Sequence, residues 1–298
     1  MRRTHANVLL LTAGAVWGMG FVAQSTAMAA VGPWTYTAAK FGLAALTVLP
    51  FALSERRRAT HRTSGRERGG FVWIGMLLFI AAILQQLGIQ YTSVTNAGFL
   101  TGLYVVLTPA LALLLFAARP HPVVWPASLA AFAGIVLIGG GRIGALTAGD
   151  LLVIASAVFW ALQILFVGRL VGSAGRPFAL SLTQFAVTAG IAGLGALVIE
   201  APSVAAILSA APEILYGGIL STGLAFTLQV IAQRHTSPAQ AAIFLSSEAL
   251  FAGLFGAVLL SERLPAAGLA GCALLFLAML AVELVPARRT QVPGPAPN

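Results

Sequence analysis

The sequence predicts an all-α polytopic membrane protein, with ten transmembrane helices arranged as two inverted five-helix repeats. Three observations carry that expectation. Apolar residues make up 59% of the 298 positions and charged residues 8%, against about 45–50% and about 25% in an ordinary soluble domain. Apolar stretches near the roughly 20 residues that cross a bilayer recur along the whole chain. The second half also echoes the first at an offset of 144 residues. So few charges could not cover a soluble enzyme in water. The composition likewise excludes disorder and a chain devoted to nucleic acid, and the single cysteine, Cys272, excludes an intrachain disulfide.

The spans are expected at 8–28, 34–53, 71–90, 97–117, 122–140, 150–170, 178–199, 213–233, 239–260 and 265–285. Turn and charge signals separate them. These are Gly32-Pro33, the arginine run from Arg56 to Arg68, Arg119-Pro120-His121-Pro122, Gly139-Gly140-Gly141-Arg142, Gly175-Arg176-Pro177, Ala201-Pro202, Pro238 and Leu264-Pro265. Connections this short predict antiparallel neighbours.

Charge placement tests the count. The formal net charge is +9, from 17 basic residues of which only Lys40 is a lysine. With the N-terminus in the cytoplasm, the inside segments hold 14 arginines, and the outside segments hold 2, Arg142 and Arg263. Basic residues concentrate on the cytoplasmic side, so both termini are expected there, in a multi-pass protein of the cell (inner) membrane. Arg2-Arg3, the apolar run and Ala27-Met28-Ala29 imitate a cleavable signal, but the run is long enough to span. The tail at 288–298 is expected to be a disordered cytoplasmic extension.

Under the 144-residue offset Pro33 meets Pro177, Phe41 meets Phe185, Gln85 meets Gln229, Thr92-Ser93 meets Thr236-Ser237, and Arg119 meets Arg263. Asn96 meets the similar amide Gln240, and with one residue of slip Trp17 meets Trp160. Polar and proline matches are informative because those residues are scarce here. The halves are therefore read as 1–143 and 144–287. Each has five spans, an odd number, so the two cross the membrane in opposite directions. Inverted repeats of this kind are characteristic of secondary transporters, with the substrate site near the midplane.

At these residues the chain resembles the EamA-type transporters of the drug/metabolite transporter superfamily. The resemblance is carried by Val16-Trp17-Gly18-Met19-Gly20-Phe21, Gly32-Pro33 leading to Ala39-Lys40-Phe41, and Tyr91-Thr92-Ser93 to Ala97-Gly98-Phe99-Leu100. It continues through Leu107-Thr108-Pro109, Gly149-Asp150-Leu151, Phe159-Trp160-Ala161, Ser237-Pro238-Ala239, Ser247-Glu248-Ala249 and Ser261-Glu262-Arg263-Leu264. It covers about residues 8 to 285. Such families typically carry Arg near Lys40, a conservative departure. The resemblance implies a small-molecule permease, often an exporter of amino acids or other metabolites.

Ionisable groups in hydrocarbon are costly and usually face a cavity or a partner. Two lie deep in the spans, Lys40 and Glu248, and the offset pairs them with Gln184 and Tyr104. Glu248 reads as a coupling or substrate-recognition carboxylate, or alternatively as a structural Glu between helices. Lys40 reads as its partner, or as a side chain snorkelling to the cytoplasmic interface. Gln24, Gln85, Gln86, Gln163, Gln184 and Gln229 suit a polar or zwitterionic substrate, and equally suit interhelical bonds. Trp17 and Trp160, too deep for an interface belt, could stack on a substrate, and Tyr104 adds a hydroxyl. These eleven residues are the candidate substrate-binding set, with Glu248 the coupling candidate.

Other features read as structural. Gly14 and Gly18, and Gly98 and Gly102, allow close helix crossings. Asp150 reads as an N-cap, as do Asn96 and Gln240. Glu55-Arg56 and Glu262-Arg263 read as interfacial charge. His5, His61, His121 and His235 give no metal-ligand pair, and no cofactor is expected.

The expected function is a secondary active transporter of small metabolites. The alternatives are a channel or facilitator for small polar solutes, and a lipid-modifying membrane enzyme. The enzyme would need an acidic cluster, a His-rich box or a nucleophile with its base. The expected partners are a small-molecule substrate, the lipid bilayer and a coupled proton, with monomer and homodimer both open.

Overall fold

The computed structural model describes residues 1–59, 63–92, 94–138, 146–259 and 266–284. The expectations placed on Arg62, Arg142, Glu262, Arg263, Arg288, Arg289, the Gly139–Gly141 break and the 288–298 tail lie outside these, as does the side chain of Asn96. Every regular element among the described residues is helical. The first half has α1 (Arg3–Ala27), α2 (Pro33–Arg58), α3 (Gly65–Ile89), α4 (Val94–Thr101), α5 (Tyr104–Phe116) and α6 (Val124–Ile138). The second has α7 (Ala148–Ala174), α8 (Pro177–Ile199), α9 (Val204–Ser209), α10 (Ala211–Leu215), a π-helical segment (Tyr216–Leu224), α11 (Ala225–Ala232), α12 (Pro238–Leu245), α13 (Glu248–Leu259) and α14 (Ala266–Leu284). Among the described residues eight helical stretches are long and apolar enough to cross a membrane, and α6 is a shorter apolar helix. The chain is a multi-pass membrane protein.

The helix starts follow local chemistry. Pro33 and Pro177 occupy the first turns of α2 and α8, where a missing N–H costs nothing. Ser64 and Glu67 form a reciprocal capping box on α3, and α7 ends at Gly175, whose φ of 62° suits glycine. Asp150 is not the N-cap expected from the sequence. Thr147 holds that position, and Asp150 sits three residues on, closing a capping box back to the Thr147 backbone. Gln240 is likewise displaced from its expected cap: Ser237 caps α12 by accepting from the Gln240 backbone N–H, and the Gln240 amide reaches Asn7 Oδ1 at 3.2 Å.

The most extensive packing joins elements of opposite halves: α2 with α8, α6 with α14, and α3 with α7. The α2–α8 pair is closed at both ends by carboxylates. Glu200, beyond the end of α8, accepts from the backbone N–H groups of Trp34 and Thr35 at 2.9 and 2.8 Å. Glu55, near the end of α2, accepts from those of Phe178 and Ala179 at 3.2 and 2.9 Å, and meets Arg176 at 3.4 Å. Each helix end thus caps the other's start, so the two run antiparallel. Glu55 therefore departs from its reading as interfacial charge. Its carboxylate satisfies orphan N–H groups at the positive end of a helix, where it is worth more than on a solvated face.

Two of the expected continuous spans are interrupted. The 97–117 stretch breaks at Gly102-Leu103, and the 239–260 stretch at Ser246-Ser247. The breaks correspond under the offset. Leu103 N–H donates to Leu100 O and Val105 N–H to Gly102 O in the first, as Ser247 does to Phe244 and Ala249 to Ser246 in the second. Glycine and serine are poor interior helix residues, and both interruptions tighten locally to i→i+3 bonding. The 213–233 stretch departs differently. Its wide π turn carries Gly217, Gly218 and Gly223, and a methyl group on Gly217 would lie 2.6 Å from the Tyr36 hydroxyl.

Candidate functional site

The two interruptions place Tyr104 and Glu248 as the first residues of α5 and α13. Both are buried, and the Tyr104 hydroxyl donates to Glu248 Oε1 at 3.1 Å across the 144-residue offset. Gly14 makes room for this arrangement. A side chain there would collide with the Ser247 hydroxyl and come within 3.2 Å of the Glu248 backbone nitrogen, so α1 passes directly against the break that starts α13.

These residues border a cavity with about 570 Å³ of empty space, open solvent included. Nine of the eleven sequence candidates line it: Trp17, Gln24, Lys40, Gln85, Tyr104, Trp160, Gln163, Gln229 and Glu248. Gln86 and Gln184 do not. Gln86 donates to the Gln24 carbonyl at 3.2 Å, and Gln184 accepts from Gln163 at 3.1 Å. Both act in the structure as interhelical ties.

An aromatic cluster forms one wall. Phe226 stands at its centre, 4.5 Å from Trp17 and 5.7 Å from Trp160 between ring centroids, with Phe41 and Phe185 at 6.4 and 6.2 Å. The two tryptophans, matched by the repeat, therefore converge on one phenylalanine. The Trp17 indole donates to the Ser221 carbonyl at 2.7 Å, and the Tyr216 hydroxyl donates to the Val16 carbonyl at 2.7 Å. Those two bonds fix α1 against the π-helical segment. A π turn misaligns its carbonyls relative to an α-helix, which is why such turns gather at functional sites.

Lys40 is only 8% exposed, so it does not snorkel to an interface. Nor does it pair with Glu248. Its ammonium donates to Gln24 Oε1 at 3.3 Å and lies 5.0 and 5.3 Å from the ring centres of Tyr36 and Phe41. Gln85 donates to Thr101 Oγ1 at 2.9 Å.

Sequence reasoning missed the central Phe226, and the Ser221-Thr222 pair of the π segment. Phe226 sits in an apolar run and faces Ala82 under the offset, so no pattern marked it. Ser221-Thr222 was a usable signal, being polar within an expected span. Phe41, a repeat match to Phe185, also lines the cavity.

The sequence matches the EamA-like transporter family twice, over residues 4–140 and 147–284. The chain belongs to the EamA-like transporter family. A relative from Archaeoglobus fulgidus, described as an uncharacterized transporter, is 28% identical over 288 residues, covering 95% of this chain and 87% of the relative. A solved crystal structure of a protein superposes with a TM-score of 0.79 over 95% of this chain and 98% of that one, at 20% identity, which speaks for the fold alone. With the many apolar helices, these likenesses make this EamA-like chain a membrane transporter.

Proposed function

We propose that this EamA-like protein is a secondary active transporter, an exporter of small metabolites such as amino acids, that works by alternating access around the cavity. In this reading ten spans form two inverted halves, residues 1–143 and 144–287. The pairs α4–α5 and α12–α13 each count as one interrupted span, and α10 to α11, with the π segment between, as another. Both termini face the cytoplasm of the cell (inner) membrane, on the argument from arginine placement. The observation that carries the proposal is the bond between Tyr104 and Glu248. Corresponding residues of the two halves, each opening a half-helix after a matching break, meet at one buried point of the cavity. Interrupted helices meeting at a repeat interface are the usual construction of a transporter site.

In this mechanism Glu248 is the coupling group. In a cavity open to water its carboxylate can lose a proton. When the surroundings close, a carboxylate charge in low dielectric becomes costly unless it is matched. Proton exchange on alternate sides would then drive substrate outward. The test is counterflow in proteoliposomes with labelled amino acids and metabolites, with and without a pH gradient. Acceleration of uptake by unlabelled internal substrate is expected. Flux of every solute that ignores the opposite side would overturn the reading in favour of a channel.

A further inference from the structure

Buried polar groups normally have hydrogen-bond partners, so those on the cavity wall that lack one outline what the cavity accepts. Lys40 is the most demanding. A cation in a mostly apolar setting needs an opposite charge, and it has one amide oxygen and two ring faces. Glu248 borders the same cavity, but it takes the Tyr104 hydroxyl and forms no ion pair with Lys40. Trp160 Nε1 is buried without a partner among the described residues, whereas its repeat mate Trp17 bonds Ser221. Gln229 Oε1 is likewise unpartnered, on a side chain with no exposure. The unmet needs are therefore a negative charge, an acceptor for an indole N–H and a donor for an amide oxygen.

We propose that the cavity selects small organic monocarboxylates with a flat apolar body, and that Lys40 is the specificity-determining group that receives the carboxylate. The proposal rests on the transporter reading of this same cavity. One ammonium without a neighbouring cation among the lining residues matches a single negative charge. The aromatic wall of Trp17, Phe41 and Phe226 requires an organic body rather than an inorganic anion. The Trp160 indole supplies a second donor, and Gln229 accepts from an N–H or O–H elsewhere on the substrate. A simple organic cation fits less well, since the acidic group already has a donor and the basic one is left without an acid.

The test uses the purified full chain in detergent and three probes with one body and different head groups: 3-phenylpropionate, 3-phenylpropanol and phenethylamine. Binding is read from intrinsic tryptophan fluorescence and from thermal stabilisation. The carboxylate is expected to bind at least about tenfold more tightly than the alcohol or the amine. Lys40→Gln should remove that preference, and Lys40→Arg should keep it. Equal or tighter binding of the amine or alcohol overturns the proposal. So does failure of 3-phenylpropionate to bind, or a preference that survives Lys40→Gln. Should Lys40→Gln fail to fold, the wild-type and Lys40→Arg head-group ratios decide. Counterflow separates the two levels. Carboxylate preference with channel-like flux supports this selectivity and overturns the transporter reading. Counterflow of the amine alone does the reverse.

Discussion

The two ends of the bundle are built from corresponding positions and bond them differently. Towards the end where α1 and α3 finish, Lys40 and Gln85 line the cavity together with Gln24. Towards the end where α7 and α11 finish, their counterparts Gln184 and Gln229 belong to a chain of buried amides. Gln163 donates to Gln184 and Gln229 to Gln163, both at 3.1 Å; Gln229 also donates to Gln233 at 3.0 Å, and Gln233 to the Ile164 carbonyl at 2.7 Å. Gln229 also borders the cavity, so the repeat mates Gln85 and Gln229 both reach it, the one bonded to Thr101 and the other to the amide chain. The repeat determines where polar groups stand, and packing determines which neighbours they meet. The amide chain is incompletely satisfied, since Gln184 Nε2 and Gln229 Oε1 lack partners among the described residues. A partly satisfied polar network holds less firmly than a complete one.

The largest expected effect comes from removing the acid on which the halves meet. Glu248→Gln should abolish transport or uncouple it from the pH gradient, while the protein still reaches the membrane and elutes as a folded species. Wild-type rate and pH dependence in proteoliposomes would remove Glu248 from the mechanism. Tyr104→Phe keeps the acid and deletes only its donor. Loss of one buried hydrogen bond, about 1–3 kcal/mol, should slow transport by about tenfold and leave pH dependence in place.

The amide chain can be broken separately. Gln163→Leu removes the middle of the amide chain and leaves two glutamines without it, again at about 1–3 kcal/mol. A cysteine at Ser181, fully buried near Gln184 on α8, in a chain with Cys272→Ser, should then react several-fold faster with a water-soluble maleimide. An unchanged labelling rate would mean that the amide chain does not restrict access to Ser181. The smallest effects are expected at the reciprocal caps. Glu55→Gln and Glu200→Gln should each lower stability by about 1 kcal/mol, seen as a fall of about 2–4 °C in melting temperature, with substrate affinity unchanged. A large change in affinity would instead link the caps to the cavity.

Much of the cavity was legible because polarity is scarce in this chain. Lys40, Glu248 and Tyr104 stand out as polar residues deep in apolar runs, and the offset pairs Glu248 with Tyr104. Gln86 and Gln184 carried the same signal and turned inward to other helices, since sequence says that an amide is buried but not on which side of its helix. Phe226 shows the converse limit. One phenylalanine among 17 has no mark of its own, and only the convergence of α1, α2, α7 and α8 on α11 makes it the centre of the wall. Glu55 reads as a charge at the membrane surface because its partner, the start of α8, is more than 120 residues away in the chain.

By itself the sequence determined the membrane class, the approximate spans and the two related halves. Hydrophobic length, arginine placement and repeat offset are properties of the chain read in one dimension. The tertiary structure decided which corresponding residues meet. It placed Tyr104 on Glu248, left Lys40 without an ion pair among the described residues and joined Gln163, Gln184, Gln229 and Gln233 in one chain. Those outcomes depend on helix rotation, on interruptions at Gly102-Leu103 and Ser246-Ser247, and on side chains competing for the same neighbours. None of these can be read from composition or spacing.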